Sequence, residues 1–306
     1  MSFHNRAMKK IFVIGSSNTD MVVKTDELPL PGETKLGGIF FMNAGGKGAN
    51  QAVAAARLGG NVTLVTKLGN DFFGKQALAG LVKEGIHTSH IFIDELNPSG
   101  TALIIVNSKG ENCIVVAPGA NANLLPADIE KVNDLAEAQI ILVQLEIPIQ
   151  TIEYIARLAK SNHQRLIINP APAQILSDEL LNGLFLITPN ETEACILTGI
   201  KVEDEPTASE VATFFLNKGV EHVIITLGSQ GAFFQNHHLK IKIDAPIVKV
   251  MDTTAAGDTF SGAISVALTE NMEWEEAIRF AIRAASISVS RMGAQSSVPY
   301  RTEMNF

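Results

Sequence analysis

Asp258 directly follows Gly257 in the stretch Val250 to Ser261, which reads V-M-D-T-T-A-A-G-D-T-F-S. An apolar run, Ile247, Val248 and Val250, enters this stretch as a strand, and Ala263, Ile264, Val266, Ala267 and Leu268 leave it at helical spacing. The small residues Thr253 to Gly257 sit at the junction, so N–H groups at the helix mouth can face a ligand unobstructed, which makes an anion site. A carboxylate in the first turn of such a helix repels a phosphate unless the chemistry uses it as a base. Phosphoryl transfer does: a group must take the proton of the attacking hydroxyl while N–H groups and a metal hold the developing charge. The alternative is that Asp258 merely caps the helix.

Other polar groups fall where apolar runs end. Ile11–Gly15 is a short buried-strand run that passes through Ser16, Ser17 and Asn18 to Asp20. Open α/β sheets bind ligands at the carboxyl ends of their strands, so Asn18 and Asp20 are candidates for sugar hydroxyls, with ordinary turn formation as the alternative. Asn43 to Ala52, N-A-G-G-K-G-A-N-Q-A, runs into an alanine-rich helix at Val53–Leu58. Its glycines bring backbone close to a ligand, and Lys47 and Asn50 add donors. Gly69 to Gln76 has Walker A spacing, but Gln76 stands where a hydroxyl must reach Mg²⁺, and Phe72 and Phe73 crowd the loop. It reads instead as a strand-to-helix turn with Asp71 as N-cap.

The elements that position these groups alternate. From Ala127 the order is helix (Ala127–Ala136), strand (Ile140–Val143), helix (Ile149–Ala159) and strand (Leu166–Ile168), a βα rhythm. The strand Ile140–Val143 ends near Glu146. Phe185–Ile187 leads to Thr188-Pro189-Asn190-Glu191-Thr192-Glu193 at a helix start. Carboxylates and an asparagine there suit a water-bound Mg²⁺ and equally complement a helix dipole. Val223–Thr226 closes in a loop, Thr226 to Gly231, that either follows a nucleotide's phosphates or makes a plain hairpin. Met21–Lys24, Thr34–Phe40, Thr101–Val106 and Asn112–Val116 read as strands of a small separate sheet, a lid or dimer surface.

The composition excludes several classes. With 306 residues, 46% hydrophobic and 18% charged, the chain is globular and long enough for a sizeable core. A formal net charge of −8 argues against nucleic acid or an anionic membrane as partner. The two cysteines, Cys113 and Cys195, are too few for a disulfide framework and read as core thiols. Ile11–Ile14 is too short for a signal core and no segment is long enough to span a bilayer, so a cytoplasmic protein is expected.

In this order, N-T-D, G-G-K-G-A-N-Q-A, P-N-E-T-E, T-L-G-S-Q-G and D-T-T-A-A-G-D-T-F-S-G resemble the ribokinase-like (PfkB-type) carbohydrate kinases from about Ile11 to Pro299. The last motif is the most specific. The resemblance implies a single α/β domain over residues 1–306: a central, mostly parallel sheet with helices on both faces, Rossmann-like, plus a small β-lid near 21–40 and 101–116. It implies transfer of the γ-phosphoryl of ATP to a sugar's primary hydroxyl, with Asp258 as base and the N–H groups of Ala255, Ala256 and Gly257 as anion hole. Asn18, Asp20, Gly46, Lys47, Asn50 and Glu146 would hold the sugar. Asn190, Thr226, Gly228, Ser229, Gly231 and Gly257 would bind the nucleotide, and Glu193 would hold Mg²⁺ through water. A K⁺ beside the anion hole would use Asp252, Thr254, Ser288, Arg291, Gly293 and Ser297, with Ser288 and Arg291 serving only through backbone. Asn18 favours ribose over deoxyribose, with fructose also possible, and no aromatic residue near Asn43–Ala52 supports a nucleoside acceptor. A closing lid would exclude water, and its exposed strands favour a homodimer. The rivals are an NAD-dependent enzyme, which lacks G-x-G-x-x-G after the first strand, and a non-catalytic sugar or nucleotide sensor.

Overall fold

Ile11, Phe12, Val13 and Ile14 are shut off from solvent on both faces, as a strand at the centre of a parallel sheet must be. The computed structural model describes residues 9–304. Along the chain come β1 (Lys10–Ile14), β2 (Asn18–Lys24), β3 (Ile39–Gly45), α1 (Lys47–Arg57), β4 (Asn61–Gly69), α2 (Phe72–Lys83) and β5 (His87–Asp94). Next are β6 (Gly100–Val106), β7 (Asn112–Ala117), α3 (Pro126–Ile129), β8 (Ala138–Val143), α4 (Ile149–Ser161), β9 (Arg165–Ile168) and α5 (Asp178–Leu181). The remainder is β10 (Leu186–Ile187), α6 (Glu191–Thr198), α7 (Glu205–Asn217), β11 (His222–Thr226), β12 (Ala232–Gln235), β13 (Lys240–Ile243), α8 (Ala256–Thr269) and α9 (Trp274–Val289).

Nine strands form one sheet in the order β13-β12-β11-β10-β9-β8-β1-β4-β5, with every neighbouring pair parallel except those that β12 makes with β11 and β13. The chain runs outward from β1 in both directions, to β4 and β5 on one side and to β8 and beyond on the other. β1 and β8 therefore flank a switch point, and the crevice beyond their carboxyl ends is where such sheets take ligands. Separate apolar clusters cover the two faces. One joins Phe12, Ile141 and Ile168 to α4 and α7, and the other joins Val13, Leu142 and Ile224 to α1, α8 and α9. Each large side chain wholly buried here, Leu58 or Phe234 for example, contributes about 1.5–3 kcal/mol. The fold class is the one expected from sequence. No helix among the described residues is long and apolar enough to cross a membrane.

A second sheet of four strands, β3-β2-β6-β7, stands apart. β2 pairs in parallel with β6 and antiparallel with β3, and Asn18, Asp20 and Val22 project from one face of it while Met21 and Val23 project from the other.

Several expectations need correction. Thr34–Phe40 is not a strand: β3 begins at Ile39, after a stretch interrupted by Gly37 and Gly38, both at positive φ. The helix expected over Ala127–Ala136 is one turn, Pro126–Ile129, followed by 3₁₀ geometry at Leu135–Glu137. Ile247, Val248 and Val250 form no strand, because the sheet edge ends with β13 and Pro246 has no N–H to give. Their side chains are exposed, Ile247 completely. The alanine-rich helix starts earlier than expected, at Lys47. Cys113 is exposed and Cys195 half-buried, so neither is a core thiol.

Candidate active site

The mouth of α8 is built by Ala255, which turns the chain in the left-handed conformation (φ 59°). Asp258 sits in the first turn but caps nothing. Its Oδ1 accepts a hydrogen bond from Gln51 Nε2 at 2.9 Å and its Oδ2 accepts one from Asn50 Nδ2 at 3.0 Å, all three side chains being buried. The carboxylate is thus gripped from α1, which lies against α8 because Gly262 has no side chain: a Cβ there would strike Gln51 O and Ala54 Cβ. Of the expected anion hole, Ala256 N–H turns to Thr253 O at 3.3 Å. Gly257 and Asp258 present first-turn N–H groups, which helix geometry leaves without an intrahelical acceptor. The space beside Gly257 is open.

α1 enters the crevice beyond β1. Gly46, at φ 87°, lets the chain pass so near Ser17 and Asn18 that a Cβ would lie 2.7 Å from their backbone. Glu146, just past β8, accepts from Lys47 N at 3.0 Å and from Ser16 Oγ, which ties the first turn of α1 to both strand ends. Asn18 Oδ1 accepts from Asn121 Nδ2 at 2.7 Å, and Asn121 Oδ1 accepts from Ser17 N at 2.9 Å. That leaves the Asn18 amide N–H₂ for a ligand. Asn50 Oδ1 is buried without a partner, an acceptor available to a ligand's donor. Asp20 projects from the small sheet into the same place, pressed against Gly45, where no side chain would fit.

Five charged groups meet here, Asp20, Lys47, Glu146, Glu193 and Asp258. Burial pushes the Asp20 carboxyl up to about 6, with the Glu146 and Asp258 charges adding to the effect. For Lys47 burial favours the neutral amine, yet Asp258, Glu146 and Glu193 together outweigh it and the pKa rises, so the ammonium persists. Glu193 is raised chiefly by burial. Lys47 therefore carries a positive charge among the Asp258, Glu146 and Glu193 carboxyl groups.

On the other side, Asn190 caps α6 and forms a capping box: Glu193 N donates to Asn190 Oδ1 at 2.8 Å and Asn190 N to Glu193 Oε2 at 2.9 Å. Glu193 Oε1 is left over, a donor set that fits a water-bound Mg²⁺ better than direct chelation. Among the described residues no cluster of three or more His, Cys, Asp or Glu could hold a metal alone. Thr226 bridges to Asn190, and Gly228, Ser229 and Gly231 turn the chain back into β12. The loop is thus a hairpin, and it lies beside Asn190. Gly231 (φ 93°) passes hard against the backbone of Ile243 to Ala245.

Asp252 Oδ2 accepts from Gly293 N at 2.9 Å, and its Oδ1 accepts from Thr254 N at 2.9 Å and Thr254 Oγ1 at 2.6 Å. Burial would raise its pKa, but these bonds outweigh it and hold the carboxyl below the usual range. Ser288 and Ser297 share a hydroxyl contact at 2.7 Å, and Arg291 N donates to Ser288 O at 3.0 Å. The Arg291 guanidinium pairs with Glu303, so only its backbone is free to serve the loop. An ionised Asp252 amid these hydroxyls and carbonyls fits a monovalent cation.

The structure thus gathers Asn18, Asp20, Gly46, Lys47, Asn50, Glu146 and Asp258 at one crevice and aligns Asn190, Glu193 and Thr226 at neighbouring strand ends. Sequence reading missed Ser16, Gln51, Asn121, Gln144 and Asn169, whose amides and hydroxyl orient the others. Asx and Gln types near strand ends were the only available signal. The Walker look-alike is structural: Asp71 caps α2 through Gly74 N at 2.7 Å and also bonds Ser99.

The description "pfkB family carbohydrate kinase" matches residues 8–301. The chain is 46% identical over 296 residues to the ribokinase of Haemophilus influenzae, covering 96% of this chain and 97% of that protein. It is 35% identical over 297 residues to the deoxyribokinase of Salmonella typhi, with 96% and 97% covered. Among solved structures, Arabidopsis thaliana ribokinase complexed with ribose and ATP superimposes with a TM-score of 0.90 at 34% identity, covering 97% of each chain. A buried carboxylate at a helix mouth, a crevice of polar side chains at the switch point and this likeness along nearly the whole length agree: the chain belongs to the pfkB family of carbohydrate kinases.

Proposed function

We propose that this chain transfers the γ-phosphoryl group of ATP to the primary hydroxyl of D-ribose, giving D-ribose 5-phosphate and ADP. The observation that carries this reading is the placement of Asp258, buried, fixed at both oxygens by N–H donors and beside the open mouth of α8. With both oxygens anchored, a remaining lone pair of the carboxylate takes the proton of the sugar O5 as that oxygen attacks the γ-phosphorus. The bond from phosphorus to the bridging oxygen breaks, and ADP leaves with the electron pair. First-turn N–H groups of Gly257 and Asp258 and the Lys47 ammonium offset charge on the passing phosphoryl.

The Asn18 amide N–H₂, left over by Asn121, donates to a sugar hydroxyl such as O2, and Asp20 and Glu146 accept from others. Asn50 Oδ1 accepts from one more. A 2-deoxy sugar would leave the Asn18 donor unused, which favours ribose. For the nucleotide, Asn190 and the Thr226–Gly231 loop line the phosphates and ribose, and the exposed Ile247, Val248 and Val250 offer an apolar bed for the base. Glu193 would hold Mg²⁺ through water, and the ion would supply charge neutralisation on the phosphate oxygens. K⁺ at Asp252, Thr254, Ser288, Arg291, Gly293 and Ser297 would order the α8 mouth.

The small sheet acts as lid, since its Asn18–Asp20–Val22 face looks onto the sugar crevice, and its outer face pairs with a second copy. An enzyme consuming ATP works where ATP is kept, which supports a cytoplasmic location. A panel of ribose, 2-deoxyribose, fructose and other pentoses and hexoses with MgATP, scored by ADP release, tests the assignment. Ribose should give the highest kcat/KM, and a higher value for any other sugar overturns the choice of substrate.

A further inference from the structure

Asp258 is backed by a row of buried side-chain amides. Gln51 Nε2 donates both to Asp258 Oδ1, at 2.9 Å, and to Asn169 Oδ1, at 3.0 Å. Gln144 Nε2 donates to Gln51 Oε1 at 2.6 Å, and Asn169 Nδ2 donates to Thr188 O at 3.2 Å. Gln51 and Gln144 have no solvent exposure and Asn169 almost none. The orientation of every amide is fixed by chemistry. Thr188 O is a backbone carbonyl and can only accept, so Asn169 turns its N–H₂ to it and its oxygen to Gln51. An ionised Asp258 likewise only accepts. Gln51 must therefore present its nitrogen to both, and its oxygen is left for the Gln144 nitrogen. The row spans α1, the end of β8 and the turns after β9 and β10, and every bond in it is consistent with one direction.

We infer that Gln51 is a positioning residue for Asp258, held in its one working orientation by Gln144 and Asn169. This rests on the phosphoryl-transfer reading above. Asn50 and Gln51 hold one carboxylate oxygen each, and together they fix the plane of the carboxylate and so the direction of the lone pairs facing the sugar. Without Gln51 the carboxylate pivots about the Asn50 contact and its remaining acceptor direction swings away from the sugar oxygen. Asn50 has a second task on that reading, because its buried Oδ1 has no partner in the protein and is left for a ligand hydroxyl. Gln51 has none.

Gln51→Met keeps the length and removes the donor. Its kcat should fall about 10- to 100-fold, the scale seen when a supporting contact behind a reacting group is lost, while the ribose and ATP KM values stay within about threefold. Gln144→Met, one contact further back, should lose kcat by a smaller factor with the same KM pattern. Melting temperatures of both variants are recorded alongside. Loss of kcat with KM retained in folded protein supports the role. A folded Gln51→Met with wild-type kcat overturns it, as does a kcat loss accompanied by an equal rise in ribose KM. If Gln51→Met fails to fold, Gln144→Met decides alone: reduced kcat with unchanged KM supports the role and unchanged kcat overturns it. Wild-type protein that does not phosphorylate ribose would defeat the functional reading instead, so the two failures are told apart.

Discussion

Asp20 shows what the crevice demands of single residues. Its carboxyl is raised by burial first, and by Glu146 and Asp258 second, from 3.8 to about 6. The folded protein therefore holds a proton between those values that the unfolded chain has already lost. The stability linked to this group is fully present below about pH 4 and is gone once the pH has risen through about 6, a difference on the order of 3 kcal/mol. An ionised Asp20 is thus costly in the folded protein, and a sugar hydroxyl donating to it, as proposed, would relieve that cost. Asp20→Asn removes the buried charge. Its melting temperature should exceed that of wild type at pH 8, with the gap shrinking toward pH 4, while the ribose KM rises about 10- to 100-fold through the lost charged hydrogen bond. Thermal melts at the two pH values and initial rates check this, and an unchanged KM would remove Asp20 from the sugar site.

At the scale of elements, the site depends on where strands stop and helices begin. Much of that was legible, since short apolar runs ending in Asn, Asp or Glu give β1, β8 and β10 and their polar ends, and Asp71 announces its cap. What was hidden has a physical cause. Ile247 to Val250 has the composition of a strand but no neighbouring edge to pair with. The 127–136 stretch carries helical residues, yet Asp128 is taken by Lys67 at 2.8 Å and by Leu125 N, so one turn suffices. Asn121 and Asn169 act through partners more than 18 positions away, beyond the reach of any local pattern. The segment around Asp252 and the turn at Ser288 to Ser297 form a unit that fixes the start of α8, and a cation there would tighten it. Added K⁺ should raise kcat severalfold while equal Na⁺ does little, and Asp252→Ala should abolish the difference. Equal rates of wild type in both salts would refute the cation site.

Across the whole molecule, residues from Asn18 to Ser297 converge because one sheet reverses its winding at β1 and a second sheet overhangs that point. The overhanging sheet has two unlike faces. Asn18, Asp20 and Val22 look inward, whereas Met42, Met21, Leu103 and Val115 fall in one cross-strand row on the outside. Leu103 is 55% exposed and Val115 64%, an apolar surface of the kind that marks an interaction site. Wild-type protein should sediment as a dimer and Val115→Glu as a monomer, and a monomeric wild type would contradict pairing through this face. On the proposed reading all of this serves one act, the removal of a proton by Asp258. Its most direct test is Asp258→Asn assayed for ADP release with ribose, with ribose binding measured by calorimetry on the same preparation. The account predicts kcat lower by at least about 10²- to 10⁴-fold with ribose still bound. Turnover near that of wild type in the variant would contradict it.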